Sequence, residues 1–283
     1  MLSISLGPLA LPIAPLLLLA SVSFAAWLAS RLLRRAARVD GAARVAPEQI
    51  GVASEAFWNA TLVGLLAARL AHLGLNFDAY AATPWSALDI RDGGWHALTG
   101  AFVGAAWLAW CSMRLPALRR PLAVGAMAGG ALWLAATLGL GLRNQPPLPD
   151  IIVTDLTTHT SASLPQFARG RPVVLNLWAS WCGPCRQEMP MLAQAQQREP
   201  GIAFLFVNQG ESADTVRAYL AREHLPLREV LLDAQSKLLP AVGSRGLPTT
   251  VFFDAGGRQL DAHFGVLNAA ALQSRLRALR VPQ

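Results

Sequence analysis

Four long apolar runs fill the first half of this 283-residue chain and restrict that half to one kind of architecture. They cover roughly Ile4 to Leu28, Ala53 to Leu75, Trp95 to Met113 and Pro121 to Leu142. Each is near the roughly 20 residues that a helix needs to cross a bilayer, where backbone polar groups must be satisfied within the segment. Arg31, Arg34, Arg35, Arg38 and Arg44 follow the first run, and Arg114, Arg119 and Arg120 follow the third. The stretch after the second, Asn76 to Gly94, sets Asp78, Asp89 and Asp92 against Arg91 alone. Arginines mark cytoplasmic loops. The pattern therefore predicts a four-helix transmembrane region over residues 1–143 with its N-terminus outside. Everything after Arg143 then lies on the outer side, which for a bacterial inner membrane is the periplasm. No Lys or Arg precedes the first run, so it lacks the basic start of a cleavable signal peptide.

The remaining residues, 150–283, read as an ordinary domain large enough to bury its own core. Asn144 to Pro149 (Asn-Gln-Pro-Pro-Leu-Pro) reads as a stiff linker between the two parts. A net charge of +7 would suit nucleic acid, but the arginine clusters beside the apolar runs account for much of it. No aromatic–basic interleaving accompanies them, and nucleic acid is excluded as a partner.

Strands are expected at Ile151–Val153, Val173–Trp178, Ile202–Val207, Glu229–Leu232, Thr249–Phe253 and Gln259–Phe264. Helices are expected at Cys185–Gln197, Ala213–Glu223, Gln235–Val242 and Asn268–Leu279. Asp254-Ala255-Gly256-Gly257 reads as a hairpin turn. The alternation predicts an α/β sheet that ends in a hairpin–helix unit.

Two of the three cysteines, Cys182 and Cys185, sit in Trp181-Cys182-Gly183-Pro184-Cys185, between an apolar strand-forming run and a helix-forming one. Cys182 is thereby expected at a helix start, where free N–H groups and the positive end of the dipole favour thiolate over thiol. One cysteine can then attack a foreign disulfide while the other resolves the mixed disulfide. A zinc site would need two more ligands, but the remaining cysteine, Cys111, lies far upstream and no histidine is near. Haem attachment would need histidine where Arg186 stands. A purely structural disulfide is the remaining alternative. No metal and no cofactor beyond the cysteine pair is expected.

The run Val174-Leu175-Asn176-Leu177-Trp178-Ala179-Ser180-Trp181-Cys182-Gly183-Pro184-Cys185-Arg186-Gln187-Glu188-Met189-Pro190 is similar to the thioredoxin fold, in the membrane-tethered branch of TlpA/ResA-like thiol-disulfide oxidoreductases. Val207-Asn208-Gln209-Gly210-Glu211-Ser212 and Gly246-Leu247-Pro248-Thr249-Thr250 extend the resemblance in the expected order. It implies that Cys182 attacks and Cys185 resolves. It also implies that Pro248, preceded by Leu247, is a cis-proline shaping the substrate groove beside Trp181, Gly183 and Pro184. Glu188 matches an acidic residue of this branch, and one helical turn after Cys185 it could exchange protons with that cysteine. Asn176 stands where ordinary thioredoxins carry a buried Asp. It cannot act as a base, which leaves proton handling to Glu188, water or substrate. Trp181 is expected to cover the disulfide or to pack hydrophobically.

Gly-Pro between the cysteines is the reducing type, akin to a thioredoxin nucleophile of pKa about 7 and unlike an oxidant's of about 3.5. The resemblance implies a reductase whose client is apocytochrome c and whose electrons come from a CcdA/DsbD-type membrane relay. An oxidase or isomerase with the same cysteines is the first alternative. In the membrane half, Ala68-Arg69-Leu70, Pro84 and Asp92-Gly93-Gly94 resemble the front portion of prolipoprotein diacylglyceryl transferase, truncated and without the histidine–glycine and arginine–asparagine motifs. That resemblance implies lipid contact by Arg69 and Asp92, and a plain structural role for Arg69 with Asp92 or Glu55 as partner stands beside it; a lipid-binding or lipoprotein-processing module is the second alternative. A tethered fold that binds partners without turnover is the third.

Overall fold

The computed structural model describes residues 3–6, 9–39, 47–81, 87, 94–143 and 146–280. The chain divides into two compact units, Met1–Asn144 and Gln145–Gln283.

In the first unit, strands β1 (Ser3–Leu6) and β2 (Leu9–Pro12) form an antiparallel hairpin ahead of helix α1 (Ile13–Val39). The first apolar run was expected from Ile4, but its opening residues lie in this hairpin. Pro12 and Pro15 bracket the switch, because proline lacks the N–H that a helix interior requires. Helices α2 (Pro47–Leu75), α3 (Phe77–Ala81), α4 (Ala97–Arg114) and α5 (Arg119–Arg143) follow. Among the described residues, three segments are long and apolar enough to cross a membrane: Ile13–Ala36, Gly51–Leu75 and Pro116–Leu140. The third expected span is helical as α4, but its 18 residues reach only about 27 Å and include Arg114.

Small residues let these helices touch backbone to backbone, which is how apolar helices associate where lipid removes the hydrophobic driving force. On the α2–α4 seam, a Cβ added at Gly64 would meet Gly100 O at 2.8 Å, and one at Gly104 would meet Ala60 O at 3.2 Å. On the α1–α5 seam, a Cβ at Gly125 would meet Ala25 O at 2.8 Å, and one at Gly129 would meet Ser21 O at 2.9 Å. Ala25, Ala26, Ala29, Leu33, Phe57 and Leu122 form the buried centre of this unit.

The second unit carries a seven-stranded sheet of order β4-β3-β7-β6-β5-β8-β9. Its strands are β3 (Ile152–Asp155), β4 (Ser161–Ser163), β5 (Val173–Trp178), β6 (Ala203–Gln209), β7 (Val230–Asp233), β8 (Thr249–Phe253) and β9 (Gln259–Phe264). Strands β5, β6 and β7 are parallel, whereas β8 and β9 on one side and β3 and β4 on the other run antiparallel. The helices are α6 (Leu164–Ala168), α7 (Gly183–Arg198), α8 (Ala213–Arg222), α9 (Leu238–Ala241) and α10 (Ala269–Arg280). This is a thioredoxin-like fold.

Both faces of the central strands are covered, so their side chains alternate between two cores. Val174, Trp178, Phe204, Phe206 and Phe252 pack with residues of α7, α8 and α10. Val173, Leu175, Leu177, Leu205, Val207 and Val251 pack with residues of α6 and α9. The expected β5, β8 and β9 coincide with the observed strands, whereas the helix expected over Gln235–Val242 is reduced to the four residues of α9.

The proline-rich stretch is not a free spacer. The Leu148 N–H donates to Gly257 O at 2.7 Å, the Gln259 N–H donates to Pro146 O at 3.1 Å, and Leu148 is buried in the second core. The turn at Asp254–Gly257 makes this docking possible. Gly257 sits at φ 75°, where a side chain would be strained, and leaves its carbonyl to Leu148. Residues 146–148 therefore belong to the second unit.

Candidate active site

Strand β5 ends at Trp178, the chain turns through Ala179–Trp181, and Cys182 caps α7. Proline at the second helical position and glycine at the first allow the abrupt start, because the missing N–H of Pro184 is one that a first turn leaves unused. The Cys182 N–H donates to Ala179 O at 3.2 Å, which closes the turn. Cys182 and Cys185 form a disulfide. The Cys185 N–H also donates to Cys182 Sγ at 3.2 Å. In the reduced pair that donor, with the helix dipole, favours a thiolate on Cys182.

Both cysteines are buried, Cys185 completely and Cys182 nearly so, while Trp181 stands 72% exposed beside them. Trp181 is therefore not a packing residue. The Leu247–Pro248 bond is cis, as the resemblance implied. Register pairs Leu177 with Thr249, so Pro248 lies beside the end of β5 from which the cysteine turn departs. Among the described residues, no three His, Cys, Asp or Glu side chains are grouped to hold a metal ion.

One helical turn after Cys185 in α7, Glu188 is 1% exposed. Asn176 donates from Nδ2 to Glu188 Oε1 at 2.8 Å and to Thr250 Oγ1 at 3.0 Å. The Leu267 N–H donates to Glu188 Oε2 at 2.8 Å. Burial pushes the carboxyl up to about 7, against the opposing pull of the hydrogen bonds from Leu267 and Asn176. A carboxyl poised near neutrality one helical turn beyond Cys185 can take or give a proton under physiological conditions. Glu188 is thus a buried hydrogen-bonded group rather than a solvated helix residue.

Sequence reasoning assigned no role to Thr250, Leu267, Ser180 or Glu211. Ser180 donates to Glu211 through both its N–H and its hydroxyl. Ser180, Glu211 and Thr250 lie in the three runs that carried the resemblance, but nothing in those runs indicated that Glu211 reaches back to the cysteine turn.

A family model described as Redoxin matches residues 144–272. The thiol-disulfide oxidoreductase ResA of Geobacillus kaustophilus is 31% identical over 134 residues, which cover 47% of this chain and 75% of the relative. The chain belongs to the ResA/DsbE family of thiol-disulfide oxidoreductases. The thiol:disulfide interchange protein DsbE of Pseudomonas fluorescens biotype C is 31% identical over 123 residues, 43% of this chain and 68% of that one. A solved DsbE structure from Chlorobium tepidum matches at 28% identity and TM-score 0.43, covering 48% of this chain and 96% of its own. The residues that the Redoxin model matches, 144–272, fall in the second unit apart from the first of them.

In the first unit, Arg69 is buried and donates to two backbone carbonyls. Nη1 donates to Gly94 O at 2.9 Å and Nη2 to Ala87 O at 2.8 Å. Its charge also lies over the rings of Tyr80 and Trp95, at 5.7 and 5.8 Å. A Cβ at Gly94 would fall 2.5 Å from the His72 ring and 2.9 Å from Arg69 Nη1, so any larger residue would have to displace one of these side chains. Asp92, the other residue expected at a lipid contact, lies outside the described residues.

Proposed function

We propose that this oxidoreductase works as a disulfide reductase on the outer side of a bacterial inner membrane. The observation that carries the reading is a disulfide at the start of α7 backed by a buried carboxyl near neutrality. The Cys182 thiolate attacks one sulfur of a client disulfide and expels the other as a thiolate. Cys185 gives its proton to Glu188 and attacks Cys182 Sγ. This regenerates the Cys182–Cys185 disulfide and releases the second client thiol. Two electrons pass to the client, and a membrane dithiol donor of the CcdA/DsbD type restores the pair. Trp181, Gly183, Pro184, Leu247 and Pro248 line the client groove. The client is an apocytochrome c whose haem-binding cysteines are disulfide-bonded and leave the reaction reduced.

The arginine asymmetry supports four spans with an external N-terminus. Arg31 lies 5.1 Å over Trp27 and Arg114 lies 5.4 Å over Trp110, arrangements suited to a membrane boundary. Arg69 serves first as a clamp on the segment before α4, and lipid contact through it or Asp92 is secondary.

The test is the in vivo redox state of the pair, read by acid-quenched alkylation with and without CcdA/DsbD-type genes. The pair is expected to be mostly reduced and to become oxidised when the donor is deleted. A pair oxidised in both strains would instead support the oxidase reading.

A further inference from the structure

The parallel pairing of β5 with β6 sets Trp178 opposite Asn208, so the loops leaving both strands emerge side by side. After β6, Gly210 adopts φ 77°, and its N–H donates to Asp233 O at 3.0 Å. This reversal turns Glu211 back, with its N–H on Asn208 Oδ1 at 3.3 Å. Its carboxylate then receives three donors. Oε2 accepts the Ser180 N–H at 2.7 Å and Asn208 Nδ2 at 2.6 Å, and Oε1 accepts the Ser180 hydroxyl at 2.5 Å.

We propose that Glu211 is a positioning residue for the thiol chemistry: it pins the Ala179–Trp181 turn so that Cys182 enters α7 with its sulfur aligned for attack. The inference rests on Cys182 being the attacking thiol, as in the proposed function. The turn has one local tie, from the Cys182 N–H to Ala179 O. Trp181, open to solvent, contributes no packing anchor. Glu211 supplies the remote tie, two residues before the nucleophile, and acts on both donors of one residue. Charge-assisted bonds of this kind are about twice as strong as neutral ones, and three of them converge on this carboxylate. Small misplacements of a reacting group cost orders of magnitude in rate.

The experiment uses the full chain in detergent, reduced, with Cys182 alkylation by iodoacetamide followed by peptide mass spectrometry. Reduction of a disulfide-bonded model peptide is measured alongside. Glu211→Ala is expected to slow both about tenfold at one pH. Glu211→Gln, which keeps one accepting oxygen, should fall between it and the native chain. Ser180→Ala, which keeps the backbone bond, should slow both least. Asp214→Asn, a 94% exposed side chain on α8, should change neither. A merely structural role would lower the thermal midpoint of each variant and leave the folded protein's alkylation rate unchanged, and that result overturns the proposal. If Glu211→Ala loses its circular dichroism signal, the graded pair Glu211→Gln and Ser180→Ala decides: native rates in both overturn it. A native chain that alkylates at Cys182 but reduces no peptide would count against the proposed function alone, because the alkylation series still reports on Glu211.

Discussion

Replacing Glu188 with glutamine should remove a pH dependence from the stability of the second unit. The native carboxyl titrates at about 7 in the fold and at its ordinary 4.5 when exposed. Between those values the folded state binds more protons than the unfolded state, so stability falls as pH rises. The contribution is intact below 4.5 and is lost as pH climbs through about 7. The difference of about 2.5 units, at 1.36 kcal/mol each, amounts to about 3 kcal/mol. Glutamine carries no charge and keeps the geometry. Its carbonyl can accept the Leu267 N–H, and its amide can donate to Asn176 Oδ1, a buried oxygen with no present partner, once the Asn176 amide makes a half-turn. The assay is urea unfolding of the oxidised full chain in micelles, with the folded second unit quantified by pulse proteolysis. At a slope of about 2 kcal/mol per molar urea, the native midpoint should drop by about 1.5 M from pH 4.5 to 8, and the Glu188→Gln midpoint should stay nearly level. Parallel midpoints for the two proteins would refute the reasoning. Asp254 does not confuse the result. Burial raises it, but hydrogen bonds from the N–H and guanidinium of Arg258, with its charge, hold it below its ordinary value, so its effect lies at the acid end.

Trp178→Ala should destabilise the second unit by about 3–5 kcal/mol by emptying the core, whereas Trp181→Ala should move the midpoint by less than about 0.5 kcal/mol and still slow client reduction. Cys185→Ser should accumulate a mixed disulfide with client on non-reducing gels, and Cys182→Ser should accumulate none. In the first unit, Gly100→Leu should part α2 from α4, because even a Cβ there meets Gly64 O at 2.9 Å, and the detergent melting temperature should fall. Arg69→Lys should also lower it, because one ammonium on a narrower head cannot reproduce the fork that holds both Gly94 O and Ala87 O.

Strands β5 and β8 were legible in the sequence because short runs rich in strand formers, such as Val173–Trp178, have few other uses, and β9 was legible because it follows the hairpin turn at Asp254–Gly257. The short β4 and α6 were not, because Ser161–Ala168 lacks a hydrophobic period long enough to read. The role of Asn144–Pro149 was misread for a related reason. Composition reports its stiffness but not that Pro146 and Leu148 find partners on Gln259 and Gly257, more than a hundred residues later. Cys182 and Cys185 were legible because their chemistry depends on neighbours in sequence. Glu188 was legible as a position, one helical turn from Cys185, but not in its protonation behaviour.

The sequence by itself determined where apolar helices and apolar strands lie and where the cysteine pair must fall between strand and helix. These are properties of local runs, set by side-chain period and backbone propensity. Only the tertiary structure decided that Glu188 is buried against Asn176 and Leu267, that Trp181 is left open, that Arg69 clamps Gly94, and that Glu211 reaches Ser180. In the second unit those facts depend on which strands pair and in what register, and in the first on how the chain after α2 folds back on that helix. Desolvation and hydrogen bonding, which set proton affinity and sulfur reactivity, act through space rather than along the chain.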